Sequence, residues 1–139
     1  MALVLTFIQP ANAQKPVLNH LAIYVHNLQK STDFYLQVIG LDSVPEPFHD
    51  GKHKWFDMGG GRLHVIQGAV NVSTHEKNAH LCFSVPSVDT FLLQLTKAKV
   101  LYEDWPGKLQ SITTRVDGVK QVYFKDPDGY WIEVNDARQ

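Results

Sequence analysis

The sequence predicts an α+β fold in which two tandem βαβββ units form a cup-like mixed sheet. Two observations predict this fold. The strand-like segment 19–25, Asn-His-Leu-Ala-Ile-Tyr-Val, returns 60 residues later at 79–85 as Ala-His-Leu-Cys-Phe-Ser-Val. Segments 60–65 and 129–134 form a second pair, each with glycine at its start and an apolar strand pattern after it. Because both pairs keep their order along the chain, we interpret the sequence as one unit repeated once.

The first unit spans residues 17–70. Its expected elements are a strand over 18–25, a helix over 28–39, and strands over 55–58 and 63–67. Asn27 is a suitable cap for the start of the helix, and Gly40 is typical of its end. Residues 42–54 contain two prolines and a glycine, so we expect a loop or an irregular strand there. Three consecutive glycines between the last two strands predict a hairpin.

The second unit spans residues 79–136 and follows a linker over 71–78. Its expected elements are a strand over 80–85, a helix over 88–98, a short strand over 100–102, and strands over 121–124 and 130–134. The sequence Asp126-Pro127-Asp128-Gly129 between the last two strands predicts a tight turn. The order of elements therefore matches that of the first unit.

The composition indicates one globular domain over residues 17–136. With 44% hydrophobic and 19% charged residues, the chain of 139 residues does not resemble a disordered protein. Its 13 basic and 14 acidic residues nearly cancel, so we expect no nucleic-acid partner. No apolar run is long enough to span a bilayer, so we expect no membrane partner either.

Residues 1–16 form an apolar N-terminal segment. Ala11-Asn12-Ala13 resembles a signal-peptidase site, which favours an exported, periplasmic protein that retains part of a signal peptide. However, no Lys or Arg precedes the apolar run, and the segment is shorter than an ordinary signal peptide. The alternative is a cytoplasmic protein whose N-terminal arm packs on a partner subunit.

Each unit carries a histidine early and a residue able to bind metal late. His20 and His64 occupy these positions in the first unit, and His80 and Glu133 occupy them in the second. One histidine on an apolar strand is usually a core residue, but four ligand types at matching points of a repeat indicate a metal site. If helices cover one face of each sheet, these side chains line a cup on the other face and converge near its base.

Several segments resemble the vicinal oxygen chelate superfamily, which includes glyoxalase I, extradiol dioxygenases, and fosfomycin- and bleomycin-resistance proteins. The similar segments are Asn-His-Leu-Ala-Ile at 19–23, Asp-Phe-Tyr at 33–35, Val-Ile-Gly-Leu at 38–41, and 124–133 with its Asp-Pro-Asp-Gly turn. The resemblance covers residues 18–134 and implies the glyoxalase/bleomycin-resistance fold. It also implies a homodimer, because relatives often assemble their site across two subunits, although one chain could also close the site alone.

The resemblance further implies a divalent metal ion bound by His20, His80 and Glu133, with His64 at the fourth position. Zn²⁺, Fe²⁺, Ni²⁺ and Mn²⁺ all suit this donor set. In the family, the metal chelates two neighbouring oxygens of the substrate and stabilises an oxyanion. Glu133 is then the candidate catalytic base, because a carboxylate that partly leaves the metal can move a proton; pure ligation is its alternative role.

These features predict a metal-dependent lyase or isomerase of the glyoxalase type that acts on a small oxygenated substrate. Alternation along the strands directs Tyr24, Tyr123 and Trp131 toward the cup. We expect these three side chains, together with Arg62, to contact the substrate.

Two other functions stay open. The same cup could bind a small molecule without turning it over, as bleomycin-resistance proteins do. An extradiol-type dioxygenase is the second alternative, since residues 122–129 fit the end of that family's signature, but residues 114–116 lack its histidine. The other spaced histidines, His49 and His53, lie near Gly51 and two prolines, which predicts a loop rather than a metal-binding helix face.

Overall fold

Two mixed sheets form the framework of the protein, whose computed structural model describes residues 14–138. The first sheet has the order β1-β4-β3-β2, with β1 at His20–Val25, β2 at Ser43–Val44, β3 at His53–Asp57 and β4 at Arg62–Gln67. The second has the order β5-β9-β8-β6, with β5 at His80–Ser84, β6 at Tyr102–Glu103, β7 at Thr113–Thr114, β8 at Lys120–Lys125 and β9 at Trp131–Asn135. Strand β7 pairs with β8. The predicted α+β fold of two repeated units is confirmed.

The same pairing rule builds both sheets. The first strand of each unit pairs in parallel with the last, β1 with β4 and β5 with β9, and the remaining principal pairs are antiparallel. A parallel pair needs a crossover connection, which the helix of each unit provides. In the strand order of each sheet, the first strand of the unit, β1 or β5, lies at one edge.

In the described part of the chain, two α-helices cover the sheets, α1 at Leu28–Phe34 and α2 at Val88–Lys97. The Asn27 side chain accepts a hydrogen bond from the Lys30 amide at 3.0 Å, which confirms the predicted cap. The predicted helix over 28–39 changes to a π-helical turn at Tyr35–Ile39 and ends at Gly40, whose φ is 84°. Both predicted ends are therefore right, and the wider last turn was not predicted.

One apolar cluster joins the two units. It contains inward-facing side chains from both sheets and both helices, including Ile23, Val25, Phe34, Leu63, Val65, Phe91, Leu95, Phe124, Ile132 and Val134. Because these residues alternate along the strands, the opposite face of each sheet is left to His20, His64, His80 and Glu133.

The turn between β8 and β9 connects the second unit to the first by buried hydrogen bonds. Asp128 accepts the His26 amide through Oδ1 and the Ser31 hydroxyl through Oδ2, each at 2.6 Å. Tyr35 donates its hydroxyl to Asp126 Oδ2 at 2.8 Å. Burial raises the pKa of Asp126 to about 6, even though the hydrogen bonds from Tyr35 and two amides oppose the shift. This turn fixes the orientation of the first helix relative to the second sheet.

The structure sharpens the sequence predictions for two segments. Residues 42–54, expected as a loop or an irregular strand, contain the two-residue strand β2, and His53 already begins β3. The short strand expected over 100–102 lies at Tyr102–Glu103, and β7 was not predicted. The predicted signal-peptide remnant lies mostly outside the described residues. Among residues 14–138, no helix has the length and apolar character needed to cross a membrane.

Candidate metal centre

The second unit brings His80 on β5 close to Glu133 on β9. Glu133 lies directly opposite Cys82 in the parallel pair, so His80 is its diagonal neighbour on the same face. His80 Nε2 is 3.2 Å from Glu133 Oε2. His80 Nδ1 lies 2.8 Å from the Lys77 carbonyl oxygen, which can only accept a hydrogen bond. The proton on Nδ1 is therefore fixed, and Nε2 is the nitrogen that faces the carboxylate.

Hydrogen bonds hold the Glu133 carboxylate in its charged form. Tyr123 donates its hydroxyl to Oε2 at 2.8 Å, and Asn135 Nδ2 donates to Oε1 at 2.8 Å. Burial alone would raise the pKa of Glu133, but these donors, Cys82 and the neighbouring His80 lower it overall. An ionised carboxylate beside an imidazole nitrogen is a suitable donor pair for a divalent cation.

In the first unit, His20 on β1 has the same arrangement as His80. Its Nδ1 lies 2.8 Å from the side-chain oxygen of Asn19, which acts as the acceptor. The proton is therefore on Nδ1, and Nε2 keeps its lone pair. His20 and His80 occupy the same position in their units, and both expose the nitrogen that could bind a metal.

His64 on β4 has different surroundings. Its Nε2 lies 2.7 Å from His53 Nδ1, so the two rings share a hydrogen bond. Its ring stacks on Trp55 at 4.0 Å between centroids and on Phe48 at 5.8 Å, and only 7% of the residue is exposed. Burial, followed by His53 and His20, lowers the pKa of His64. The imidazole is therefore neutral at pH 7.

Sequence reasoning missed His53 and Trp55. His53, Trp55 and Asp57 alternate along β3 and share the face of His64, because Trp55 lies directly opposite His64 in the antiparallel pair. Only the alternation was visible in the sequence, and the prolines and Gly51 before it concealed the start of the strand. The prediction that His53 lies on a loop is wrong.

The four expected ligands stay in two separate pairs within one chain. His20 and His64 lie on the first sheet with 5.9 Å between their ring centroids, whereas His80 and Glu133 lie on the second. Over residues 14–138, no group of three or more His, Cys, Asp or Glu side chains is arranged to hold a metal ion. Within the described residues, one chain alone therefore does not bring the four expected ligands together, and their convergence, within one chain or across two, stays a prediction.

The predicted substrate contacts lie near these two pairs of residues. Tyr24 and Arg62 are exposed on the face of the first sheet that carries His20, and Arg62 lies directly opposite His20. Tyr123 is buried and supports Glu133. The Trp131 ring lies 4.9 Å from Lys77 Nζ and 4.6 Å from Lys125 Nζ. Tyr24, Arg62 and Trp131 stay predictions as substrate contacts, and Tyr123 contacts the carboxylate instead.

Comparisons with known proteins identify the family of this chain. The family model described as the Glyoxalase/Bleomycin resistance protein/Dioxygenase superfamily matches residues 17–134. A lactoylglutathione lyase from Pseudomonas putida is 27% identical over 90% of this chain and 87% of that enzyme. The metallothiol transferase FosB from Shouchella clausii (strain KSM-K16) is 29% identical over 85% of this chain and 78% of the transferase.

Solved structures show the same fold. The oxidase ChaP-H2 superposes with a TM-score of 0.74 over 90% of this chain and 96% of its own, at 22% sequence identity. At that identity the likeness concerns the fold, and functional arguments depend on the residues of the site.

Proposed function

The chain belongs to the Glyoxalase/Bleomycin resistance protein/Dioxygenase superfamily, and from this premise we propose that it is a metal-dependent lyase or isomerase acting on a small oxygenated substrate. The observation that carries the proposal is the contact between His80 Nε2 and Glu133 Oε2 at 3.2 Å. The Lys77 carbonyl holds a proton on His80 Nδ1, so Nε2 faces the carboxylate, and a bound cation would take the place of the proton that this pair can share in the metal-free chain. Zn²⁺, Fe²⁺, Ni²⁺ or Mn²⁺ fits this donor set.

The complete site is proposed to form between two copies of the chain. Each chain offers one half-site with His20 and a second with His80 and Glu133, and neither half-site alone has enough ligands. In a dimer with twofold symmetry, the His20 half-site of each copy would meet the His80 and Glu133 half-site of the other copy. The dimer would then contain two equal sites. The homodimer is therefore part of the proposed function.

Glu133 is the proposed catalytic base. The bound cation would act as a Lewis acid on a substrate oxygen. Glu133 stays ionised at neutral pH, so its carboxylate can accept a proton from the carbon next to that oxygen. Tyr123 and Asn135 keep the carboxylate oriented while the proton moves. This chemistry suits a substrate with oxygens on neighbouring carbons.

The exposed residues around His20 are the proposed substrate contacts. Arg62 supplies a positive charge beside the half-site and suits an acidic group on the substrate. Tyr24, with 53% of its surface exposed, offers an aromatic face and a hydroxyl. Trp131, on the second sheet beside the cations of Lys77 and Lys125, is the proposed contact from the half-site of His80 and Glu133.

Metal content and chelator sensitivity test this proposal together. The natural chain, purified without chelator, is expected to hold about one transition metal per chain, and His80→Ala and Glu133→Gln to hold almost none. We expect turnover of a 2-oxoaldehyde–thiol adduct, which carries oxygens on neighbouring carbons, and its loss after chelation. His49→Asn, at an exposed loop position outside both half-sites, is a matched control and should keep the metal.

The alternatives predict different results in the same experiment. A protein that only binds a small molecule would keep its ligand affinity after chelation and show no turnover. An extradiol-type dioxygenase would consume oxygen with a catechol and Fe²⁺. A natural chain that holds no metal, even after incubation with all four ions, would contradict the proposed function.

A further inference from the structure

We infer that His53, held by Asp50, captures His64 and keeps it out of the metal's coordination sphere, so that the protein supplies three ligands rather than four. His53 is in this view a positioning residue. The inference rests on the proposed function for the presence of a metal, but the hydrogen bond itself exists in the metal-free chain. The contact that carries it is the 2.7 Å distance between His53 Nδ1 and His64 Nε2.

The proton positions follow from Asp50. Its Oδ2 lies 3.4 Å from His53 Nε2, and a carboxylate favours a proton on the nitrogen that faces it. His53 Nδ1 is then the unprotonated nitrogen and accepts a hydrogen bond. His64 must therefore carry its proton on Nε2 to donate it. A protonated Nε2 has no lone pair for a metal, so His64 could ligate only through Nδ1, the nitrogen on the backbone side of the ring.

His20 and His80 have the opposite proton position. Each donates Nδ1–H to an oxygen acceptor, Asn19 Oδ1 or the Lys77 carbonyl, at 2.8 Å. Nε2 is therefore the nitrogen of each ring that can face a metal, in His80 beside the Glu133 carboxylate, which is the usual arrangement for a histidine ligand with an outer hydrogen-bond partner. His20 and His80 are thus held through Nδ1, whereas His64 is held through Nε2.

Packing holds the plane of the His64 ring. Trp55 stacks on one side with an interplanar angle of 14°, and Phe48 stacks nearly parallel at 12°. Phe48 also lies 4.4 Å from the His53 ring, so the same side chain holds both imidazoles. The stack therefore fixes the plane of the ring, and the hydrogen bond fixes the edge of the ring that faces His53.

The consequence for the site is a lower number of protein ligands. His20, His80 and Glu133 together leave two or three positions of a five- or six-coordinate metal open, enough for two substrate oxygens. A fourth protein ligand would close one of them. His64, capped by the aromatic stack, instead forms part of the wall beside the metal.

Counting imidazoles on a bound Cu²⁺ ion by pulsed electron paramagnetic resonance tests the inference. We expect two coordinated imidazoles in the natural chain and in His64→Ala. His53→Phe keeps a ring against Phe48 but removes the acceptor, so His64 should become a third ligand. His49→Asn is the matched control, because His49 is a nearby exposed histidine with a left-handed backbone that Asn tolerates.

Metal affinity gives a second readout. We expect His64→Ala to change the Cu²⁺ dissociation constant by less than about threefold, and His20→Ala to raise it by more than about 100-fold. His53→Phe should lower it by about tenfold, since a ligand is gained. Three imidazoles in the natural chain and two in His64→Ala, or equal losses for His64→Ala and His20→Ala, would overturn the inference.

Proton positions in the metal-free chain separate this inference from the proposed function. Long-range ¹⁵N–¹H spectra should place the His64 proton on Nε2 and the protons of His20 and His80 on Nδ1. If the natural chain binds no metal, the proposed function fails, and these spectra still decide whether His53 captures His64. A His64 proton on Nδ1 would overturn the capture, whether or not metal binds.

Discussion

The two halves of this protein have the same strand order, yet they treat their matching residues differently. In the second half, the aromatic residue opposite the late ligand is Tyr123, which donates a hydrogen bond to Glu133. In the first half it is Trp55, whose ring stacks on His64 and does not bond it. The second half orients its candidate ligand by a hydrogen bond, whereas the first half packs an aromatic ring against its candidate ligand.

The next residue on the same face of these strands shows a second difference. Gln121 is the counterpart of His53 in the pairing, and it bonds the Tyr123 hydroxyl rather than the ligand. His53 bonds the candidate ligand itself. A repeated fold therefore conserves where a side chain is placed, while its neighbours on the adjacent strand decide which atom is free to react.

The largest expected effect distinguishes the two hairpin turns. Asp128, of which 3% is exposed, accepts two hydrogen bonds from the first unit, whereas nothing lies within 4 Å of a Cβ added at Gly60 in the other turn. Asp128→Ala should therefore lower the free energy of unfolding by about 3–6 kcal/mol, because two hydrogen bonds to a charged group are lost. Gly60→Ala should change it by less than about 0.5 kcal/mol. Urea denaturation measures both, and equal effects would contradict the connecting role of the second turn.

The pH dependence of stability tests the same turn through Asp126. Because its pKa is raised to about 6, the folded chain binds this proton more tightly than the unfolded chain. Its contribution to stability is complete below about pH 4 and is lost as the pH rises through 6, by about 3 kcal/mol. In Asp126→Asn this component should disappear. A variant with the pH profile of the natural chain would exclude Asp126 as its source.

The smallest expected effect comes from a comparison of Tyr123, which lies opposite Glu133, with Trp55, which lies opposite His64. Tyr123→Phe removes the hydrogen bond to Glu133 and should weaken metal binding by about 10–100-fold, as loss of an outer partner of a ligand typically does. Trp55→Phe keeps a stacked ring on His64 and should change metal affinity by less than about threefold. Competition with a coloured chelator measures both. If Trp55→Phe had the larger effect, the first unit would be the better supported half-site.

The fold could be predicted from the sequence because its signals are local. Apolar alternation located the long strands, Asn27 located the start of the first helix, and Gly40 located its end. The two-residue strands β2 and β7 are too short to show a period, and only their partners define them.

The site was predicted less completely, because it depends on pairing across strands. The positions of His20, His64, His80 and Glu133 could be read from the repeat, but their hydrogen-bond partners could not. That His53 contacts His64 depends on the register of β3 against β4, and a shift of one residue would turn it to the other face. The separation of the ligands into two pairs depends on how the sheets are arranged, which no local pattern reports.

Metal analysis of a mixed dimer tests the central claim, a site shared between two copies, most directly. His20→Ala and Glu133→Gln chains carry different affinity tags, are co-expressed, and the mixed dimer is isolated. Each variant alone should bind almost no metal, but the mixed dimer combines one intact His20 with one intact pair of His80 and Glu133. The account predicts about one metal ion per mixed dimer and about two per natural dimer. Mixed dimers without metal, beside a natural chain that binds it, would contradict the shared site.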